Sequence, residues 1–168
     1  MSRRTCAVIT LDHTGGGVAA VSRLVWRTFR ERWAAEAKLV ALRDQPDGRF
    51  GAYGDLPARV MFGTRLATAQ AIGESRWTFY THLALAQVQH FVPAALQRPY
   101  AIFLHGIEVW RPLTPALERA LAGARLVVTN SEYTANRVAD MHPWVRQMSA
   151  CPLALEDAEP RPAPAPAA

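Results

Sequence analysis

The chain has 168 residues, a net charge of +5, half of its residues hydrophobic and a fifth charged. That is the make-up of one ordinary globular domain, of a size that buries roughly 70% of its unfolded surface without a disulfide or metal staple. It excludes disordered, collagenous and disulfide-framed chains. No apolar run approaches the ~20 residues of a bilayer span. Thr5–Leu11, behind the basic Met1-Ser2-Arg3-Arg4, is too short and β-branched for a secretory core, so a cytoplasmic protein is expected. Cys6 and Cys151 stand at opposite ends with no CxxC spacing, and two buried thiols are expected. Lys38 is the sole lysine; the other basic residues are arginines, scattered without a basic block or nucleic-acid motif, so nucleic acid is not an expected partner.

Thr5–Leu11 reads as a buried strand, followed by the loop Asp12–Gly17. Val18, Val21, Val25, Phe29 and Trp33 recur at spacings of three and four, the stripe of an amphipathic helix ending near Ala37. Its Trp26, Trp33 and arginines would suit an acidic membrane surface, but inward-packed aromatic rings beneath a solvated arginine face are the better expectation. Lys38–Leu42 is a second strand, and the Gly-, Pro- and Asp-rich stretch Arg43–Pro57 is a loop. Val60–Phe62 is a weak strand, Thr64–Ile72 a helix stopped by Gly73, and Trp77–Thr81 a strand by β propensity. A helix is predicted over Leu83–Leu96, interrupted near Pro93, then a strand over Tyr100–Leu104 and a loop over His105–Trp110. Thr114 caps a helix that has Pro115 at its first position and closes at Gly123. Leu126–Thr129 is a strand, Ser131 caps a helix over Glu132–Asp140, and Gln147–Ala150 is a last strand. From Glu156 the chain has four prolines and no core residue, so residues 1–155 form the domain and 156–168 a linker or tail.

Short apolar strands alternating with helices predict an α/β fold, a Rossmann-like parallel sheet of about six to seven strands with helices on both faces. Such sheets bind ligands beyond the carboxyl ends of their strands, which selects residues that directly follow strands. Gly15, Gly16 and Gly17 let a backbone approach a phosphate or sugar hydroxyl at a helix N-terminus. Gly15, Gly17 and Ala20 also satisfy a dinucleotide-site spacing, with Asp44 near the second strand end, but three residues separate the glycines from their strand. His105 follows a strand and could donate to a sugar hydroxyl, with Glu108 accepting from another; His82 holds the equivalent place one strand earlier. Asn130 and Ser131 follow the sixth strand, and Ser131 is also an adequate helix cap. No carboxylate or cysteine completes a metal-ligand spacing around the histidines, so no metal is expected. There is no G-x-S-x-G elbow and no Walker sequence.

The glycine loop, FYTHLALA, FLHGIEVWRPL, ERALAGARLVVTNSEYTANRV and CPLAL together resemble the N-terminal domain of family-four glycosyltransferases, one half of a GT-B fold, over Val8 to Leu155. The specific pieces are His105-Gly106-x-Glu108 and the Ala-x-x-Val-x-x-Ser-x-x-Thr run from Ala124 to Thr134. The resemblance implies a retaining, metal-independent hexosyl transfer from a nucleotide sugar to a carbohydrate or lipid-linked acceptor, with peripheral membrane contact compatible. It makes His105 the catalytic contact to the transferred sugar and Gly15–Gly17 the loop near the donor diphosphate. His13, His82, Glu108, Asn130 and Ser131 are the expected substrate contacts. It also implies a C-terminal donor-binding domain absent from these residues, without which the chain is expected to be inactive, and no other cofactor. Two alternatives stand beside it: a non-catalytic ligand-binding module and a dinucleotide-binding oxidoreductase domain.

Overall fold

The structure, a computed structural model, describes residues 4–10, 16–33, 36–41, 61–62 and 65–153. The Arg43–Pro57 loop, His13, Gly15, Asp44 and the tail from Glu156 lie outside the described residues. The strands are β1 (Arg4–Thr10), β2 (Ala37–Ala41), β3 (Met61–Phe62), β4 (Ser75–Tyr80), β5 (Tyr100–Leu104), β6 (Leu126–Thr129) and β7 (Met148–Ala150). The helices are α1 (Gly16–Trp33), α2 (Arg65–Gly73), α3 (Leu83–Ala86), α4 (Pro115–Ala122) and α5 (Glu132–Met141). The strands form one sheet in the order β3-β2-β1-β4-β5-β6-β7, every neighbouring pair parallel. Four of them, β1, β2, β4 and β5, have five or more residues; the other three are shorter. The α/β parallel architecture is the one expected from sequence.

The side chains of β4 divide between two cores. Thr78 and Tyr80 of β4 are buried on the side of the main core, which gathers Ile72, Leu83, Leu85, Ile102, Leu104, Leu121, Val127 and Val138 from the helices α2 to α5 and the strands beneath them. Phe79 instead packs with a second cluster around Trp26 and Leu39, built on α1. β5 is buried along its whole length, as its uninterrupted apolar run requires. Trp26 is 1% exposed, so the inward packing of α1 is the arrangement found. On the α1 side Phe29, Trp33, Trp77, Phe79, Ala101 and Leu126 line an apolar recess of about 330 Å³. No helix among the described residues is long and apolar enough to cross a membrane.

Several boundaries differ from expectation. The predicted Leu83–Leu96 helix is α-helical only over α3, then continues as two 3-10 segments, Gln87–Phe91 and Ala94–Leu96. Gln89 is buried within the first of these, where its Nε2 donates to the Tyr80 hydroxyl at 2.8 Å, a tertiary demand that propensity does not carry. α1 starts at Gly16, so two of the three glycines belong to the helix rather than to the loop before it. Cys151 is exposed, against the expected buried thiol, because it directly follows the short edge strand β7. Thr114 and Ser131 cap α4 and α5 as expected, their hydroxyls accepting from Leu117 N–H and Thr134 N–H.

Candidate functional site

The chain order reverses direction across the sheet between β1 and β4: β2 lies to one side of β1 and β5 to the other side of β4. At such a switch point the connections leave to opposite faces and open a crevice at the strand carboxyl ends. Four strand ends meet there. β1 leads toward the first turn of α1, β4 delivers Thr81 and His82, β5 delivers His105 and Gly106, and β6 delivers Asn130 and Ser131.

His82 and His105 are stacked, with ring centroids 5.7 Å apart and planes 27° apart. His82 has extended backbone and serves as the N-cap of α3, its Nδ1 accepting the Ala84 N–H at 3.0 Å. Neutral His82 therefore carries its proton on Nε2 and presents a donor. His105 Nε2 lies 2.8 Å from the Thr81 carbonyl oxygen. A carbonyl only accepts, so Nε2 donates, and neutral His105 keeps its lone pair on Nδ1. The two rings thus present opposite characters, a donor from His82 and an acceptor from His105. This reverses the expectation that His105 donates to a ligand.

The His105 backbone is held from both sides. Its N–H donates to Glu108 Oε1 at 2.6 Å, and its carbonyl accepts from Asn130 Nδ2 at 2.8 Å. The Asn130 amide is itself fixed, since its Oδ1 accepts from the Thr134 hydroxyl at 2.8 Å and from the Ser131 hydroxyl at 3.3 Å. Asn130 and Ser131 thus have their side chains engaged within the protein, where they orient the His105 loop. Glu108 differs: its Oε2 is buried and has no hydrogen-bond partner among the described residues. A carboxylate oxygen removed from water without a donor costs about 1–3 kcal/mol or more, which a ligand donor would recover.

Burial lowers the His82 pKa below its ordinary value; the Glu108 carboxylate opposes the shift, and His105 adds to it. Because the folded-state value is the depressed one, the unfolded chain takes up the proton first as pH falls. The stability from neutral His82 is complete above about 6.5 and is lost as pH drops through that value toward the depressed one. His82→Asn keeps a capping acceptor and removes the titration. In urea unfolding, wild type is expected to lose stability relative to His82→Asn between about pH 7.5 and about pH 5. Parallel curves for the two proteins would contradict this account.

Gly106 bridges His105 and Glu108 with φ +121°, in the left-handed half of conformational space. A Cβ there would sit 2.7 Å from Trp110 Cζ2 and 3.2 Å from Thr134 Oγ1. Trp110 in turn meets Tyr133 edge-on at 5.8 Å, and both rings are exposed, as is Ile107 next to Gly106. Gly16 also has positive φ, +70°, and a Cβ at Gly16 or Gly17 would meet nothing within 4 Å. Among the described residues nothing crowds these first-turn glycines of α1, and that turn has no acidic residue of its own. α1 is tied to the same crevice through Ser22, whose hydroxyl donates to Thr81 Oγ1 at 2.9 Å in a buried contact.

Of the residues singled out from sequence, the structure brings His82, His105, Glu108, Asn130 and Ser131 into one connected cluster. Gly16 and Gly17 stand at the neighbouring helix end. Thr81, Thr134 and Ser22 were missed. Thr81 acts through its carbonyl, which no residue type signals; Thr134 was legible as the third residue after the Ser131 cap. Among the described residues no three histidine, cysteine or acidic side chains come together as a metal-ligand set.

Two solved structures share this fold. Anabaena HepE, solved with UDP-glucose, superposes with a TM-score of 0.63 at 15% identity, over 87% of this chain and 43% of its own. An alpha-glucosyltransferase, solved with UDP and a 13-mer DNA containing an HMU base, gives 0.55 at 14% identity, over 89% of this chain and 42% of its own. The likeness is one of fold, and the chain spans less than half the length of either protein. No protein-family model matches the sequence, and no curated protein matches it.

Proposed function

We propose that the chain is the acceptor-side half of a retaining glycosyltransferase of the GT-B type, which moves a sugar from a nucleotide-sugar donor to a carbohydrate or lipid-linked acceptor. The observation that carries this reading is the stacked His82–His105 pair at the switch-point crevice, with the orphaned Glu108 oxygen in the same cluster. A sugar is a dense array of hydroxyls, each both donor and acceptor. His105 Nδ1 and Glu108 Oε2 accept from such hydroxyls, and His82 Nε2–H donates to one. The open first turn of α1 offers N–H groups and a positive dipole end to a phosphate. In this reading His105 is the catalytic residue, His82, Glu108 and His13 contact substrate, and Asn130 and Ser131 position the loop. The half of the fold beyond this chain supplies most of the donor site and the stabilisation of the leaving diphosphate.

Calorimetry with nucleotide sugars, and nucleotide release followed as turnover, test this on the chain alone and joined to the polypeptide that follows it in its gene. Turnover by the joined form only, lost on His105→Ala, supports the proposal. Binding without turnover in both forms replaces it with a binding-only module. A joined form that binds no nucleotide sugar refutes it.

A further inference from the structure

We infer that a second recess, at the opposite end of the sheet from the histidines, binds a phosphate group carried on an organic body. The recess, of about 630 Å³, lies between the C-terminal end of α4 and the segment entering β7. Its lining includes Arg125, Arg146, Trp144 and Gln147, and no carboxylate.

The two arginines are placed by the sheet itself. β6 and β7 pair with Val127 opposite Met148, and the same register carried two residues back sets Arg125 opposite Arg146. Val127 N–H, which donates to the Gln147 carbonyl at 2.9 Å, holds that register, and Arg125 N–H ties the same segment to the Tyr100 carbonyl of β5 at 2.8 Å. Both arginines come just before their strands, where neighbouring parallel strands run about 4.8 Å apart. Like charges in such a pair are destabilising unless something between them is negative.

No described residue supplies that charge. Neither guanidinium has a hydrogen bond or ion pair with any described residue, in contrast to Lys38, which Glu74 meets at 3.1 Å. Three carbonyls at the end of α4 are already engaged within the protein. The Arg119 carbonyl takes Gly123 N–H, the Ala120 carbonyl takes the Tyr100 hydroxyl, and the Leu121 carbonyl takes Ala124 N–H. Two adjacent guanidinium forks match the oxygens of a phosphate, each able to give paired N–H donors. Trp144, 39% exposed and held at a tilt against His142, offers a flat apolar surface beside them for the body that carries the phosphate. The chemistry is shared by a soluble phosphomonoester with a planar group and by the headgroup of an anionic lipid. The inference does not rest on the proposed transferase reading.

The full chain is titrated calorimetrically with inorganic phosphate and with adenosine monophosphate. It is also floated with phosphatidylcholine vesicles, with and without phosphatidylglycerol. Binding to a phosphate-bearing probe is expected to weaken with added salt. It should fall roughly tenfold or more in Arg125→Gln/Arg146→Gln and stay near wild type in Arg32→Gln/Arg76→Gln, a control pair that is equally exposed and unpaired. Trp144→Ala should weaken adenosine monophosphate or vesicle binding while leaving inorganic phosphate unchanged. Binding to adenosine monophosphate alone identifies a soluble ligand, and binding to phosphatidylglycerol vesicles alone identifies a headgroup. The inference is overturned if no probe binds, or if the control pair weakens binding as much as the recess pair.

Discussion

Gly106→Ala is expected to destabilise the chain by roughly 2–5 kcal/mol and to dismantle the crevice in the same step. Two independent costs add. The +121° φ lies where a residue with a Cβ is strained, and that Cβ would overlap the Trp110 ring at 2.7 Å. Relief requires Trp110 to move off Tyr133, or Gly106 to rotate and drag the neighbouring His105 carbonyl off Asn130. Urea unfolding measures the loss. A variant within about 0.5 kcal/mol of wild type would mean that the turn is not held as described. Gly17→Ala is the contrasting substitution. It lies inside α1 with open space around the new methyl group, so it should be neutral or stabilising by up to about 1 kcal/mol. If the open helix end does receive a ligand, the same substitution should lower activity while raising stability, a separation that a purely structural glycine would not give.

If the chain is the proposed transferase half, His105→Ala should leave the fold in place and reduce transfer by the joined form about 10²–10⁴-fold, the usual worth of a positioned histidine. The structural cost is bounded. Among the described residues the ring makes one hydrogen bond, to the Thr81 carbonyl, and packs against His82 and Phe103, so its loss should cost about 1–3 kcal/mol. His105→Gln separates the two roles. Its amide nitrogen can still donate to Thr81, and its oxygen can still accept, in a different geometry. It should recover most of the stability and a fraction of the activity. Wild-type turnover in His105→Ala, measured as nucleotide release, would remove the histidine from the reaction.

Much of this fold was legible because its elements carry their own punctuation. Thr114-Pro115 announces α4, Ser131 announces α5, and the unbroken apolar run of β5 could only be a strand buried on both faces. The candidate residues were legible by position, as those that come directly after strands. What sequence could not carry was the direction of each proton. Whether His105 gives or takes a hydrogen bond is decided by a backbone carbonyl 24 residues away in the chain, and backbone carbonyls are the same at every residue. The splitting of the Leu83–Leu96 helix was hidden for a similar reason: Gln89 reads as a solvent-facing residue until Tyr80 appears opposite it. His82 was read as a second histidine of the same kind, whereas its capping bond makes it the donor of the pair.

The bond between Ser22 and Thr81 has a consequence for how the two ends of a bound substrate would feel one another. Thr81 is shared: its hydroxyl receives α1, and its carbonyl receives the His105 ring. A phosphate drawn onto the open end of α1 pulls on a helix anchored, through one residue, to the group that sets the tilt and tautomer of His105. The path is two hydrogen bonds long and crosses no flexible side chain longer than a serine. In the proposed reading, Thr81 would tie the seating of a ligand's charged end to the aim of the His105 lone pair at its hydroxyl end.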